Sequence, residues 1–97
     1  SADTYFASEV REGEYFEVDF GEYENISSIV INAKEKTNAK IIVYAKSDGA
    51  LRKVTEINGL NAGENTLPLS CETSKIRFTF GETRLGESIK ISSIKMN

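Results

Sequence analysis

Any chemistry in this chain comes from a short inventory of side chains. Its 97 residues include no histidine, the side chain most often used to move protons near neutral pH. A Ser/His or Cys/His nucleophile is therefore excluded within the chain. Two carboxylate pairs, Glu17 with Asp19 and Glu22 with Glu24, are of the residue type that cleaves a glycosidic bond. Residues two apart on a strand, however, stand on its solvent side only ~7 Å from one another. Exposed strands show that spacing by chance. The single cysteine, Cys71, has only Lys75 close in sequence to lower its pKa, and a small thiol is commonly a packing residue. One cysteine forms no internal disulfide, and without histidine there is no Cys/His zinc set. The chain is read as non-catalytic, not an enzyme.

Length and charge narrow the remaining classes. Ninety-seven residues suffice for one domain with a modest core, without a separate catalytic subdomain. One module over residues 1–97 is expected. Twelve Lys and Arg against fifteen Asp and Glu, a net charge of -3, leave no basic field, and the cations are scattered; no nucleic-acid partner is expected. No apolar run approaches the roughly 20 residues of a membrane helix, and the opening "SADTYFAS" lacks the charged and apolar regions of a signal peptide. No membrane insertion is expected. The start at Ser1 rather than Met reads as the edge of a segment of a larger multidomain parent.

Short strands fill the chain. In "EYFEVDF" (14–20) Phe16, Val18 and Phe20 alternate with Tyr15, Glu17 and Asp19, the period of a half-buried strand. Similar runs are "SSIVINA", "KIIVYA", "KVTEIN", "NTLPLS", "KIRFTF" and "IKISSIKM". With "TYFAS" they make eight expected strands. The separating segments, "DFGEY", "KEKTN", "SDG", "NGLNAGEN" and "GETRLGES", are rich in turn residues, as in a sandwich or barrel. No stretch reads as a helix. Phe16, Val18, Phe20, Ile29, Ile31, Ile76, Phe78 and Phe80 are the expected inward residues.

Three local features refine this reading. Asp48-Gly49 tolerates positive φ at both positions and predicts a tight hairpin between the fourth and fifth strands. Pro68 has no N–H for a ladder and predicts that "NTLPLS" lies at a sheet edge or has that amide position facing outward. Ile89 and Ile91 differ in parity from Ile94 and Met96, so a bulge near Ser92 and Ser93 is needed to bring all four inward.

In this order the elements resemble a known family. "YFEVDFGEYENISSIVI" resembles the segment of discoidin-type and related carbohydrate-binding modules in which an aromatic-led strand ending in "DLG" precedes a strand of the sense "I..I.I". "IIVYAKSDGALRKV" resembles their "V..S.DG..W..V" hairpin, and "SKIRFTF" with "ISSIKM" resembles their closing "YVRI" and "ISEI" strands. The resemblance implies a galactose-binding-like jelly roll, an all-β, two-sheet antiparallel β-sandwich of about eight strands. "FGEY" would then be the short turn between two strands of different burial. The chain departs from the pattern in having no tryptophan, with Leu51-Arg52 where the family usually carries one, and in its short length.

The function implied by the resemblance is non-catalytic carbohydrate binding, targeting a larger extracellular enzyme or surface protein to a polysaccharide or glycan. Other domains of the parent chain would be its neighbours, outside the cell or on its surface. The alternative is a structural spacer or protein-interaction sandwich without a sugar ligand, which the missing tryptophan favours. Sugar recognition needs a flat apolar face to stack on a pyranose and planar polar groups to fork its hydroxyls. Tyr5, Tyr15, Tyr23 and Tyr44 are the available platforms; Arg11, Arg52, Arg77 and Arg84 supply donors; Asn38, Asn61, Asn65 and Asp48 lie in expected turns. By parity Tyr15, Tyr44 and Arg77 share an exposed sheet face. A loop site at the sandwich tip would use Arg52, Asn61 and Arg84 instead. Such modules often carry structural calcium, for which Asp3, Glu9 and Glu22 are the acidic candidates, although no dense Asp-x-Asp run supplies six to eight oxygens. "NIS" at Asn25 fits an N-glycosylation acceptor.

Overall fold

Alternating apolar residues put one side of nearly every segment into a shared core. A computed structural model of the chain describes residues 3–5, 9–11, 13–81 and 88–97. Its strands are β1 (Asp3–Tyr5), β2 (Glu9–Val10), β3 (Tyr15–Ala33), β4 (Thr37–Ser47), β5 (Ala50–Leu60), β6 (Gly63–Gly81) and β7 (Ile89–Met96). All their pairings are antiparallel, and there is no helix among the described residues.

Among the described residues there are seven strands where about eight were expected. "EYFEVDF" and "SSIVINA" are two halves of β3, "NTLPLS" and "KIRFTF" are two halves of β6, and β2 is additional. The reason lies at "FGEY", which is a bulge within β3 rather than a turn between strands. The register jumps from Asp19↔Lys75 to Glu24↔Thr73, so residues 20–23 oppose Ser74 alone. Gly21 takes the positive φ of 79° that this requires, and its N–H donates to the Asp19 carboxylate at 2.9 Å. The bend is therefore absorbed locally and the strand continues beyond it.

The two long strands join two layers. In the first, β5, β4, the second half of β6 and the first half of β3 lie side by side. In the second, the first half of β6, the second half of β3 and β7 do so, with β1 and β2 on β7. The hydrogen bonding is continuous, in the order β1-β7-β3-β6-β4-β5. Yet one buried cluster contains Ile41, Val43, Ile76 and Phe78 from the first layer and Ile29, Ile31, Ile91 and Ile94 from the second. With no helix among the described residues to cover it, the sheet buries one face by folding onto itself, which makes a β-sandwich.

The local expectations are met for stated reasons. Asp48 and Gly49 have φ of 50° and 79° and close a two-residue hairpin between Ser47 and Ala50. Pro68 lies where β6 bonds to β3 alone, so its missing N–H leaves no ladder gap on a second side. The β7 register skips Ser92 between its pairs with Asn32 and Ala33, and Ile89, Ile91, Ile94 and Met96 are all buried. Of the expected core, Phe16 and Phe20 are partly buried against the cluster and the other six residues lie within it.

Two buried polar side chains act as staples. The Asn65 amide donates to the carbonyls of Ile31, Asn61 and Gly63 and accepts from the Asn61 N–H. It thereby holds the β5–β6 turn against β3, a structural role for a residue considered above as a turn ligand. The Thr73 hydroxyl lies 2.8 Å from the Lys46 carbonyl and accepts from the Lys75 N–H, bracing the bend of β6. Satisfied in this way, both groups offset the cost of burying them.

Candidate functional site

The outer face of the first layer is set by strand parity and strand order together. Tyr15, Glu17 and Asp19 of β3 lie on the side opposite Val18 and the core; Lys75, Arg77 and Thr79 do so on β6, and Lys40, Ile42, Tyr44 and Lys46 on β4. Because β6 runs between β3 and β4, these residues form rows. Glu17 faces Arg77, Arg77 faces Tyr44, and Tyr44 faces Lys53. In the next row Tyr15 faces Thr79, Thr79 faces Ile42, and Ile42 faces Glu56. Directly opposed Cβ atoms in such ladders are about 5 Å apart. Tyr15, Arg77 and Tyr44 are thus brought together on one open face.

Their geometry is defined by two contacts. The guanidinium carbon of Arg77 lies 4.3 Å from the Tyr15 ring centroid, and Arg77 Nε donates to Glu17 at 2.6 Å. The first is a cation–π contact and the second a charge-assisted bond; together they hold the guanidinium in place. Tyr15 remains 56% exposed, while Tyr44 and Arg77 are half-buried. A groove of about 230 Å³ lined by Tyr44, Leu51, Arg77 and Thr79 meets at Thr79 a second of about 180 Å³ that includes Lys40 and Ile42. The face therefore offers tyrosine rings for stacking, an apolar floor and a fixed planar donor.

Ion pairs surround this patch. Lys75 reaches Glu17 at 3.6 Å and Asp19 at 3.7 Å. Glu56 pairs with Lys40 at 3.0 Å and also with Lys53. Hydrogen bonds from Lys53 first, then Lys40, hold the Glu56 carboxyl below its ordinary pKa of 4.5. The Glu17 and Asp19 carboxylates, considered above for catalysis, are both engaged by cations. Sequence reasoning considered Glu17 only for catalysis and did not single out Thr79 or Leu51 for binding; the outward parity of Glu17 and Thr79 was visible, but not which strands flank them, and Leu51 lay before the expected fifth strand.

The loop combination is not brought together. Arg52 lies near the start of β5 and Asn61 just beyond its end, nine positions and about 30 Å apart along an extended strand. Arg84 lies outside the described residues. Asn61 instead shares with Asn38 a groove of about 290 Å³ between the start of β4 and the β5–β6 turn. Of the other tyrosines, Tyr5 packs edge-on against Phe16 at 6.4 Å, and Tyr23 is exposed in the β3 bulge.

The calcium candidates do not converge. Asp3 pairs with Met96 and Glu9 with Lys90, positions roughly 20 Å apart along β7, and Glu22 is exposed in the bulge. Among the described residues no group of three or more His, Cys, Asp or Glu is positioned to hold a metal ion. Cys71 packs against the core, and burial pushes its thiol pKa up, as expected of a structural cysteine. Asn25 is exposed on β3.

This architecture has counterparts among solved structures. CpGH89CBM32-6 of Clostridium perfringens superposes with a TM-score of 0.74 at 19% identity, covering 99% of this chain and 92% of that one. The chain shares the β-sandwich fold of that module. The chitosan-binding module 1 from a Paenibacillus chitosanase/glucanase matches at 0.67 and 12%, over 97% of this chain and 75% of that one. The Clostridium perfringens enzyme CpGH89, solved with GlcNAc-alpha-1,4-galactose, matches at 0.73 and 18%, over 100% of this chain. This chain spans only 14% of that enzyme's length. No family model and no curated protein matches the chain.

Proposed function

We propose that the chain is a non-catalytic carbohydrate-binding module that holds a larger extracellular enzyme or surface protein on a polysaccharide or glycan. The observation that carries this reading is the fixed Arg77–Tyr15 stack beside Tyr44 on an open sheet face. Tyrosine rings match the C–H face of a pyranose, and the outer N–H groups of Arg77 match its oxygens. The fold supports the reading because modules of this architecture include a chitosan-binding one. Catalysis finds no support in a chain without histidine, whose Glu17 and Asp19 carboxylates are ion-paired.

The test is affinity gel electrophoresis against immobilised plant, microbial and host polysaccharides. The wild-type domain is retained by at least one of them. Tyr44→Ala weakens that retention by about 1–3 kcal/mol, the range of a contact anchor, while its melting temperature stays near wild type. Retention by none supports the spacer alternative, in which the tyrosines only pack and Tyr44→Ala lowers the melting temperature.

A further inference from the structure

We propose that the outer sheet face takes a polyuronate, a polysaccharide carrying carboxylates on its sugar rings, along the cations that flank Tyr44. This rests on the carbohydrate-binding reading above and specifies its ligand class. The observation is a charge imbalance. Among the described residues the face carries five cations, Lys40, Lys46, Lys53, Lys75 and Arg77, against three carboxylates, Glu17, Asp19 and Glu56. These eight charges sum to +2 on a chain whose net charge is -3.

The carboxylates present are shared. Glu17 serves both Arg77 and Lys75, and Glu56 serves both Lys40 and Lys53. Lys46 has no carboxylate partner among the described residues. Beyond the paired Ala45 and Ile76, Lys46 and Lys75 are the next outward residues of adjacent strands. Like charges so placed repel unless an anion lies between them. One row away, the planar fork of Arg77 matches the two oxygens of a carboxylate, and the groove between Arg77, Leu51 and Tyr44 accommodates the ring that bears it. A neutral glycan would use the tyrosines and leave the excess positive charge unanswered.

The experiment measures binding of the domain to polygalacturonate and alginate, to neutral galactan, to dextran sulfate, which carries sulfates but no carboxylates, and to single-stranded polynucleotide. Expected is binding to a polyuronate that weakens about tenfold or more between about 20 mM and about 500 mM NaCl, as screening demands. Arg77→Gln and Lys46→Gln each weaken it about threefold or more, and Lys95→Gln on the other layer leaves it unchanged. Because Lys46 has no carboxylate partner, its substitution tests the site without breaking an ion pair. Equal, salt-insensitive binding to neutral galactan overturns the polyuronate assignment and leaves the carbohydrate-binding reading intact. Tighter binding to dextran sulfate or polynucleotide than to either polyuronate overturns it as well, as does full affinity in Lys46→Gln. Failure to bind any polysaccharide rejects both readings.

Discussion

Arg77 and Tyr15 stand in adjacent strands with the guanidinium carbon 4.3 Å from the ring centroid. Arg77 sits opposite Glu17, not opposite Tyr15, so the stack is a diagonal contact. It exists because Glu17 anchors Nε while the flat guanidinium covers the neighbouring ring. Lysine, with a compact ammonium and no planar fork, would not reproduce both contacts.

The core should respond strongly to truncation. Phe78 is fully buried with its ring centroid 6.1 Å from that of Phe16. Phe78→Ala is expected to destabilise by about 3–5 kcal/mol, from lost transfer energy plus a residual cavity. In a domain with total stability of about 5–10 kcal/mol, denaturant titration reads this directly. A shift below about 1 kcal/mol would show that Phe78 is not central to the core.

Gly59 is a backbone requirement. Its φ is 89°, and a Cβ there would stand 3.0 Å from the Thr37 carbonyl oxygen, where β4 and β5 shift register between Thr37↔Leu60 and Lys40↔Asn58. Gly59→Ala is expected to cost about 1–3 kcal/mol. An unchanged unfolding midpoint would mean that the bulge adapts without strain.

Acid should weaken the fold partly through Glu56. Its pKa is lowered in the folded state from 4.5 by Lys53 and Lys40. The stability that this contributes is present above the unfolded value and is lost as pH falls through the lower folded value. Melting temperatures recorded from about pH 6 down to about pH 2 should therefore fall more for the wild type than for Glu56→Gln. Parallel decline in the two proteins would contradict the ion-pair account.

The sequence revealed the fold wherever one residue type answered one backbone demand. Asp48-Gly49 signalled a hairpin because both positions take positive φ, and the parity clash between Ile91 and Ile94 signalled the bulge at Ser92. It misled at "FGEY", where a glycine and a broken alternation accompany either a turn or a bulge; the Asp19 side chain capping the Gly21 N–H keeps the strand continuous. Parity also grouped Tyr15, Tyr44 and Arg77. It could not reveal that β6 lies between β3 and β4, and so missed Glu17 as the anchor of Arg77. Arg52 follows one turn and Asn61 lies in another, but those turns lie at opposite ends of β5.

The central claim is that a glycan occupies the outer sheet face around Arg77 and Tyr44. The most direct measurement is a ¹H–¹⁵N NMR titration of the domain with a soluble oligosaccharide from whichever polysaccharide retains it. The account predicts the largest shifts at the amides of Tyr15, Tyr44, Arg77 and Thr79 and at the Arg77 Nε–H, with Asn38, Asn58 and Asn61 unmoved. Shifts confined to Asn38, Asn58 and Asn61, in the groove beside the β5–β6 turn, would contradict it.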